Sequence, residues 1–284
     1  MTKMSSDQED QDPFTLERTG CDAGLNPMFG EWQHTFLFAP VPYGDGGAKR
    51  AAFRAAMQSE LSNKWIYSHN IQLEITLHLD VQTILETSET ADLDNYAKAI
   101  LDGLKGPEGI MLDDTQVQAL VISWLDGYGK PSFTIETKAS PDDFVIKPVE
   151  FYEMPDGLWY PHSRAVWSNG GEELLSDKAY FADLSIVELM SSVKKRARAE
   201  MRRAGYDRLR AFQRSRYVSL LARGFHRSRI AESGFSAHSL KEWQEARGVW
   251  KRNHPADGDQ LDQILARLPD SYNNLIKVLA GRFQ

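Results

Sequence analysis

The chain has 284 residues, is 42% hydrophobic and carries a formal net charge of −7, which is enough for one large or two modest folded units. Its apolar runs are too short to span a bilayer and no signal peptide opens it, so neither a membrane protein nor a secreted one is expected. Cys21 is the single cysteine and the seven histidines form no cluster, which excludes an intramolecular disulfide framework, argues against a zinc site and suits the reducing cytoplasm.

Residues 1–30 are polar and acidic and read as a flexible arm. From His34 a strand runs through Phe36 and Phe38 and ends at Pro40 and Pro42. Ala48 to Leu61 has helical spacing, with Phe53, Ala56 and Met57 on one side and Lys49, Arg50 and Arg54 on the other. The cleanest strand follows: Ile71, Leu73, Ile75, Leu77, Leu79 and Val81 alternate with Gln72, Glu74, Thr76, His78 and Asp80.

Next comes a cluster of acids. Asp92-Leu93-Asp94-Asn95-Tyr96-Ala97-Lys98 opens a predicted helix, and Asp94, Lys98 and Asp102 fall four apart on one face of it. Gly103, Gly106, Pro107 and Gly109 then turn the chain and return Asp113 and Asp114 toward the helix start. Crowded carboxylates repel one another unless a cation joins them. Hard divalent ions such as Mg²⁺ take oxygen ligands and suit phosphodiester hydrolysis, and a nearby lysine can meet the charge that develops on a phosphate. On spacing alone a plainer reading stays open: Asp92 and Asp94 cap the helix, and Lys98 and Asp102 form a surface pair.

The pattern Asp-Leu-Asp-Asn-x-x-Lys, then x-x-x-Asp-x-Leu, then Gly-x-x-x-Asp-Asp-x-Gln-Val, resembles the RusA family of Holliday junction resolvases, sharply from Asp92 to Val117. The resemblance implies a small, dimeric, Mg²⁺-dependent endodeoxyribonuclease of mixed α and β structure, with Mn²⁺ as a substitute ion and branched DNA as partner. By position it makes Asp92, Asp94 and Asp114 the metal-binding acids, with Asp113 as an additional ligand, and Lys98 the essential lysine. Family members carry arginines just before this motif. Here the same place reads Leu85-Glu86-Thr87-Ser88-Glu89-Thr90-Ala91, which is acidic.

Val117–Leu125 and Ser132–Lys138 read as two more strands joined by a Gly-rich turn, completing an α+β unit over residues 31–145, a mixed sheet with helices on one face. Residues 146–184 hold Phe151, Tyr152, Trp159, Tyr160 and Trp167 among prolines and glycines with no clear period. Packing of this connecting segment on the preceding unit is expected, with base stacking as the alternative.

Residues 185–284 change character. Ser185-Ile186-Val187-Glu188 resembles a capping box, so an all-α domain is expected to begin there. Between Ser191 and Asn253 there are 17 Lys and Arg against 5 Asp and Glu, a net of +12, so the rest of the chain carries −19. Such segregation suits a polyanion; docking of the basic helices on the chain's own acidic unit is the alternative. Ile230 to Trp243 resembles a helix-turn-helix within residues 227–250, with Gly234 at the turn and Ser236 capping the second helix. That pattern makes Arg227, Arg229, His238, Ser239, Lys241, Gln244 and Arg247 the expected DNA contacts, although a plain helical hairpin fits the same residues. Two short helices separated at Pro269 close the chain. The whole reads as a cytoplasmic RusA-like nuclease followed by a DNA-binding module. The alternative is a non-catalytic DNA-binding protein that keeps the nuclease fold as a dimerisation platform.

Overall fold

The structure, a computed structural model, describes residues 30–87, 91–140, 143–168, 171–218 and 223–281. The expected acidic arm lies outside them except for its last residue, as do residues 88–90 of the acidic stretch. The first part of the chain runs β1 (Glu31–Phe36), α1 (Gly47–Glu60), β2 (Trp65–Tyr67), β3 (Ile71–Leu79), α2 (Val81–Glu86), α3 (Leu93–Leu104), β4 (Val117–Asp126) and β5 (Ser132–Ala139). Four of these strands form a mixed sheet in the order β1-β5-β3-β4, with β3 and β4 parallel and the other pairs antiparallel.

The alternation in β3 works as the sequence implies. Ile71, Leu73, Ile75, Leu77 and Leu79 are buried, while Gln72 and Glu74 are exposed. On the apolar face the side chains meet Phe53 and Met57 of α1 and Tyr96, Ile100 and Leu104 of α3, and each such burial contributes about 1.5–3 kcal/mol. Gly103 lets α3 close on α1, since a Cβ there would collide with the Met57 sulfur. β4 forms an edge, and Leu120, Val121, Trp124 and Leu125 on it are exposed.

The chain continues as β6 (Phe144–Ile146), β7 (Val149–Glu153), β8 (Trp159–Ser163), β9 (Ala165–Ser168), β10 (Gly171–Leu174), α4 (Asp177–Arg203), α5 (Arg208–Ser215), α6 (Arg227–Ile230), β11 (Ser236–His238), α7 (Leu240–Asn253) and α8 (Pro255–Gly281). The aperiodic connecting segment therefore folds into strands. β7 is the middle of a three-stranded sheet, antiparallel to β8 and parallel to β11, which returns from far along the chain. Its two faces serve two cores, because successive side chains alternate. Val149, Phe151 and Trp159 pack with Phe225 and Ile230 onto Ile66 and Leu112 of the first unit. Tyr152, Met154 and Tyr160 face Tyr180, Phe181 and Leu184 of α4 and Trp243 and Trp250 of α7. Among the described residues no helix is long and apolar enough to cross a membrane.

Three expectations for the C-terminal part need correction. The helix expected to start at Ser185 starts at Asp177, capped by Ser176; Ser185 is buried and its hydroxyl donates to the Phe181 carbonyl at 2.7 Å. A boundary at 185 thus falls inside α4. The helix-turn-helix is replaced by a four-residue helix, a strand and a helix. Gly234 does adopt a positive φ of 87°, but the chain then extends through β11, because Phe235 packs 5.2 Å from Phe151 and the strand pairs with β7. The cap of α7 is Ser239, not Ser236, in a reciprocal box with Glu242. Last, α8 is one helix through position 269. A proline costs one backbone bond, and the burial of Leu261 before it and Ile276 after it holds both halves in place.

Candidate active site

The acidic cluster is built by the start of α3 and by the turn that follows the helix. Asp92 takes the N-cap position, yet its side chain accepts no capping bond. Asp92 and Asp94 are both exposed, and neither carboxylate makes a hydrogen bond or ion pair among the described residues. Lys98, one turn on, stands 3.7 Å over the ring of Tyr43, which Arg50 covers at 4.1 Å. The backbone N–H of Tyr43 donates to the Asn95 carbonyl at 3.0 Å, which fixes the ring beside the helix start. The surface pair of Lys98 with Asp102, the plainer alternative, is not formed. Asp102 binds Lys105 at 2.6 Å instead, three residues along the helix.

The turn after α3 depends on Gly109, where a Cβ would run into the Leu104 carbonyl. The turn ends in Asp113-Asp114-Thr115-Gln116, and the two aspartates have different fates. Asp113 is buried and its carboxylate accepts from the Thr115 N–H at 3.0 Å and from the Thr115 hydroxyl, so it holds the turn. Asp114 is half-exposed and meets two cations, Lys105 at 3.3 Å and Arg229 of α6 at 3.7 Å. Burial lowers the pKa of the Lys105 ammonium, but the hydrogen bonds and charges of Asp102 and Asp114 outweigh that and leave it raised.

Two residues to which the sequence reading gave no role hold this geometry. Gln116 is fully buried; its carbonyl oxygen accepts from the N–H groups of Leu112 and Asp113, and its amide donates to the carbonyls of Tyr67 and His69. The Asp113-x-x-Gln116 spacing of a capping box was the available signal. Arg223 donates to Asn70 at 2.6 Å and to the Thr115 carbonyl at 2.7 Å, tying the C-terminal part to the acidic turn. Burial lowers its pKa. No local pattern marks it.

The expected DNA contacts of α6 to α7 are mostly occupied. Arg229 pairs with Asp114, Ser239 caps α7, and His238 stacks on Tyr152 with ring centroids 4.9 Å apart. Gln244 and Arg247, expected to face outward, turn inward onto Glu188 of α4; Arg247 reaches it at 2.7 Å, with both side chains less than a fifth exposed. The reason is that α7 packs on α4 through Trp243 and Trp250, which brings its polar flank over Glu188. Arg227 and Lys241 remain exposed.

The oxygen donors are of the type that suits Mg²⁺. As folded, however, they do not assemble: among the described residues no group of three or more His, Cys, Asp or Glu side chains is arranged to hold a metal ion. Lys105 and Arg229 stand at Asp114 instead. The three-acid set of Asp92, Asp94 and Asp114 is therefore not assembled as folded. Asp92 and Asp94 are the oxygen donors left unpaired, within the one or two carboxylates that Mg²⁺ usually takes beside a substrate's phosphates.

Residues 46–137 match the family model described as Endodeoxyribonuclease RusA. The chain thus carries a RusA-family domain, which spans α1 to β5 and contains every residue of the acidic cluster. No curated protein matches the chain.

Proposed function

We propose that this protein is a RusA-type endodeoxyribonuclease that hydrolyses phosphodiester bonds in branched DNA such as Holliday junctions, in DNA recombination and repair, as a cytoplasmic homodimer. One observation carries the reading: the family match falls on a helix start where Asp92 and Asp94 are exposed and unpaired, one turn from Lys98. Hydrolysis needs a base to take a proton from water and cations to meet charge on the phosphate oxygens. Asp92 and Asp94 suit the first role. Lys98 suits the second, and Lys105 and Arg229 are further cations on the Asp114 side. Cleavage is expected only when Mg²⁺ or Mn²⁺ is supplied, since aspartates of this kind work with such ions in phosphodiester chemistry.

Incubation of the full-length protein with labelled junction, duplex and single strand, in Mg²⁺ or in EDTA, tests the proposal. Cuts in the junction that disappear in EDTA support it; absence of cleavage of every DNA in Mg²⁺ and Mn²⁺ overturns it. A second reading, a non-catalytic DNA-binding protein on the same fold, is favoured by the cations seated at Asp114. It requires junction binding without cuts.

The homodimer is supported by β4, an edge strand with exposed Val121 and Leu125 on one face and Leu120 and Trp124 on the other. Long apolar edges invite pairing with a second chain. Val121→Lys with Leu125→Lys should convert a dimer to monomer in sedimentation, and a monomeric wild type would contradict the dimer.

A further inference from the structure

The second half of α4 and the helix after it make a surface that the catalytic reading does not use. Val193, Ala197 and Met201 of α4 pack inward with Ala211 of α5 and Ile276 of α8. What they leave outside is basic: residues 194–217 hold 10 Lys and Arg against 2 Asp and Glu, a net of +8. Arg196, Arg208 and Arg216 are exposed and make no ion pair among the described residues. Between the cations stand large apolar side chains in solvent, with Leu209 64%, Phe212 49% and Tyr217 76% exposed. Guanidinium groups are already layered on rings there. Arg198 lies 4.7 Å over Phe212, held by a bond from its Nε to the Ser215 hydroxyl at 3.0 Å, and Arg214 lies 4.6 Å over Tyr206.

Each feature is unfavourable in the isolated protein. Like charges repel across the corner, and the exposed rings forgo burial. One kind of ligand relieves both costs: a chain of anions that also carries flat apolar rings. A DNA duplex offers the phosphates but keeps its bases stacked inside. A single strand offers both. We propose that the α4–α5 corner binds unpaired DNA strands, with Arg208 and Arg216 on phosphates and Phe212 and Tyr217 on bases. The choice of DNA over RNA rests on the endonuclease reading above; the rest stands on the corner itself.

The test is fluorescence anisotropy on the full-length protein in EDTA, where cleavage does not intervene, with a labelled single strand, a duplex of equal length and an RNA of the same sequence. The single strand should bind tighter than the duplex, with affinity falling about tenfold or more between 50 and 200 mM salt as counterions are released. Arg208→Glu with Arg216→Glu should weaken both DNAs about tenfold or more, because each reversal removes an attraction and adds a repulsion. Phe212→Ala with Tyr217→Ala should weaken the single strand about tenfold and the duplex little. These side chains are exposed, so unfolding temperatures should stay at the wild-type value. Equal affinity for single strand and duplex, unchanged binding by either double variant, or tighter binding of the RNA overturns the proposal. A protein that shows the expected binding yet cuts nothing in Mg²⁺ refutes the nuclease reading and leaves this surface standing.

Discussion

The C-terminal part contains two basic stretches that look alike in sequence and end differently in the fold. Residues 194–217 carry 10 cations against 2 acids, and residues 223–252 carry 7 against 3. In the first, several arginines stay in solvent beside exposed rings. In the second, Arg223 is spent on Asn70 and Thr115, Arg229 on Asp114, Arg247 on Glu188 and Ser185, and Lys251 on Asp262. Charge counted along a chain is therefore an upper limit on the charge a partner meets. The difference lies in location: the second stretch is woven between the RusA-family unit and α4 through β11, while the first is on the outer side of α4.

The largest expected effect is at the acids that neither stretch reaches. Asp94→Asn keeps the size of the side chain and removes one unpaired carboxylate, and should lower the cleavage rate roughly 10²–10³-fold while DNA binding stays near wild type. Single-turnover assays beside binding isotherms check this. Lys98→Ala should come next, with a larger loss in rate at saturation than in affinity, as expected for a cation acting on transition-state charge; equal losses would make it a plain phosphate contact.

The second stretch should respond in stability rather than in binding. Glu188→Ala leaves Arg247 half-buried without its carboxylate and Gln244 without its acceptor, and should cost about 2–3 kcal/mol in denaturant unfolding. Affinity for the single strand should hardly change. A large loss of affinity with unchanged stability would return the α7 residues to the interface.

The smallest effect concerns Lys147, another cation enclosed by the fold. Burial pushes its pKa down to about 8, against partial compensation by Glu108. Between that value and the ordinary lysine value the unfolded chain binds more protons, so this group makes stability rise with pH across that window and costs stability below it. Lys147→Met should thus raise the unfolding temperature at pH 7 by a few degrees, and the gain should shrink toward pH 10. A gain that is constant with pH would show that packing alone is responsible.

How much of this was legible depended on how local each signal was. β3 alternates over nine residues and α3 carries its own apolar stripe and glycine stop, so both can be read from the chain. The strand β11 is three residues long and exists because β7, more than eighty positions earlier, offers it an edge; no window of sequence contains that pairing. The same gap misplaced the recognition helix, since Ser236 looks like a cap until β7 claims it. Asp92, Asp94 and Lys98 were readable as a group. The pairing of Asp114 with Lys105 and Arg229 was not, because Arg229 arrives from a segment more than a hundred residues away.

Cutting at the acids and holding at the α4–α5 corner should be separable, and one paired measurement tests this: binding and single-turnover cleavage of the same branched DNA by Asp94→Asn and by Arg208→Glu with Arg216→Glu. The account predicts that Asp94→Asn binds as the wild type does and does not cut, whereas the arginine variant binds about tenfold or more weakly yet cuts at the wild-type rate once protein is saturating. Undiminished cleavage by Asp94→Asn, or full-affinity binding by the arginine variant, would contradict it.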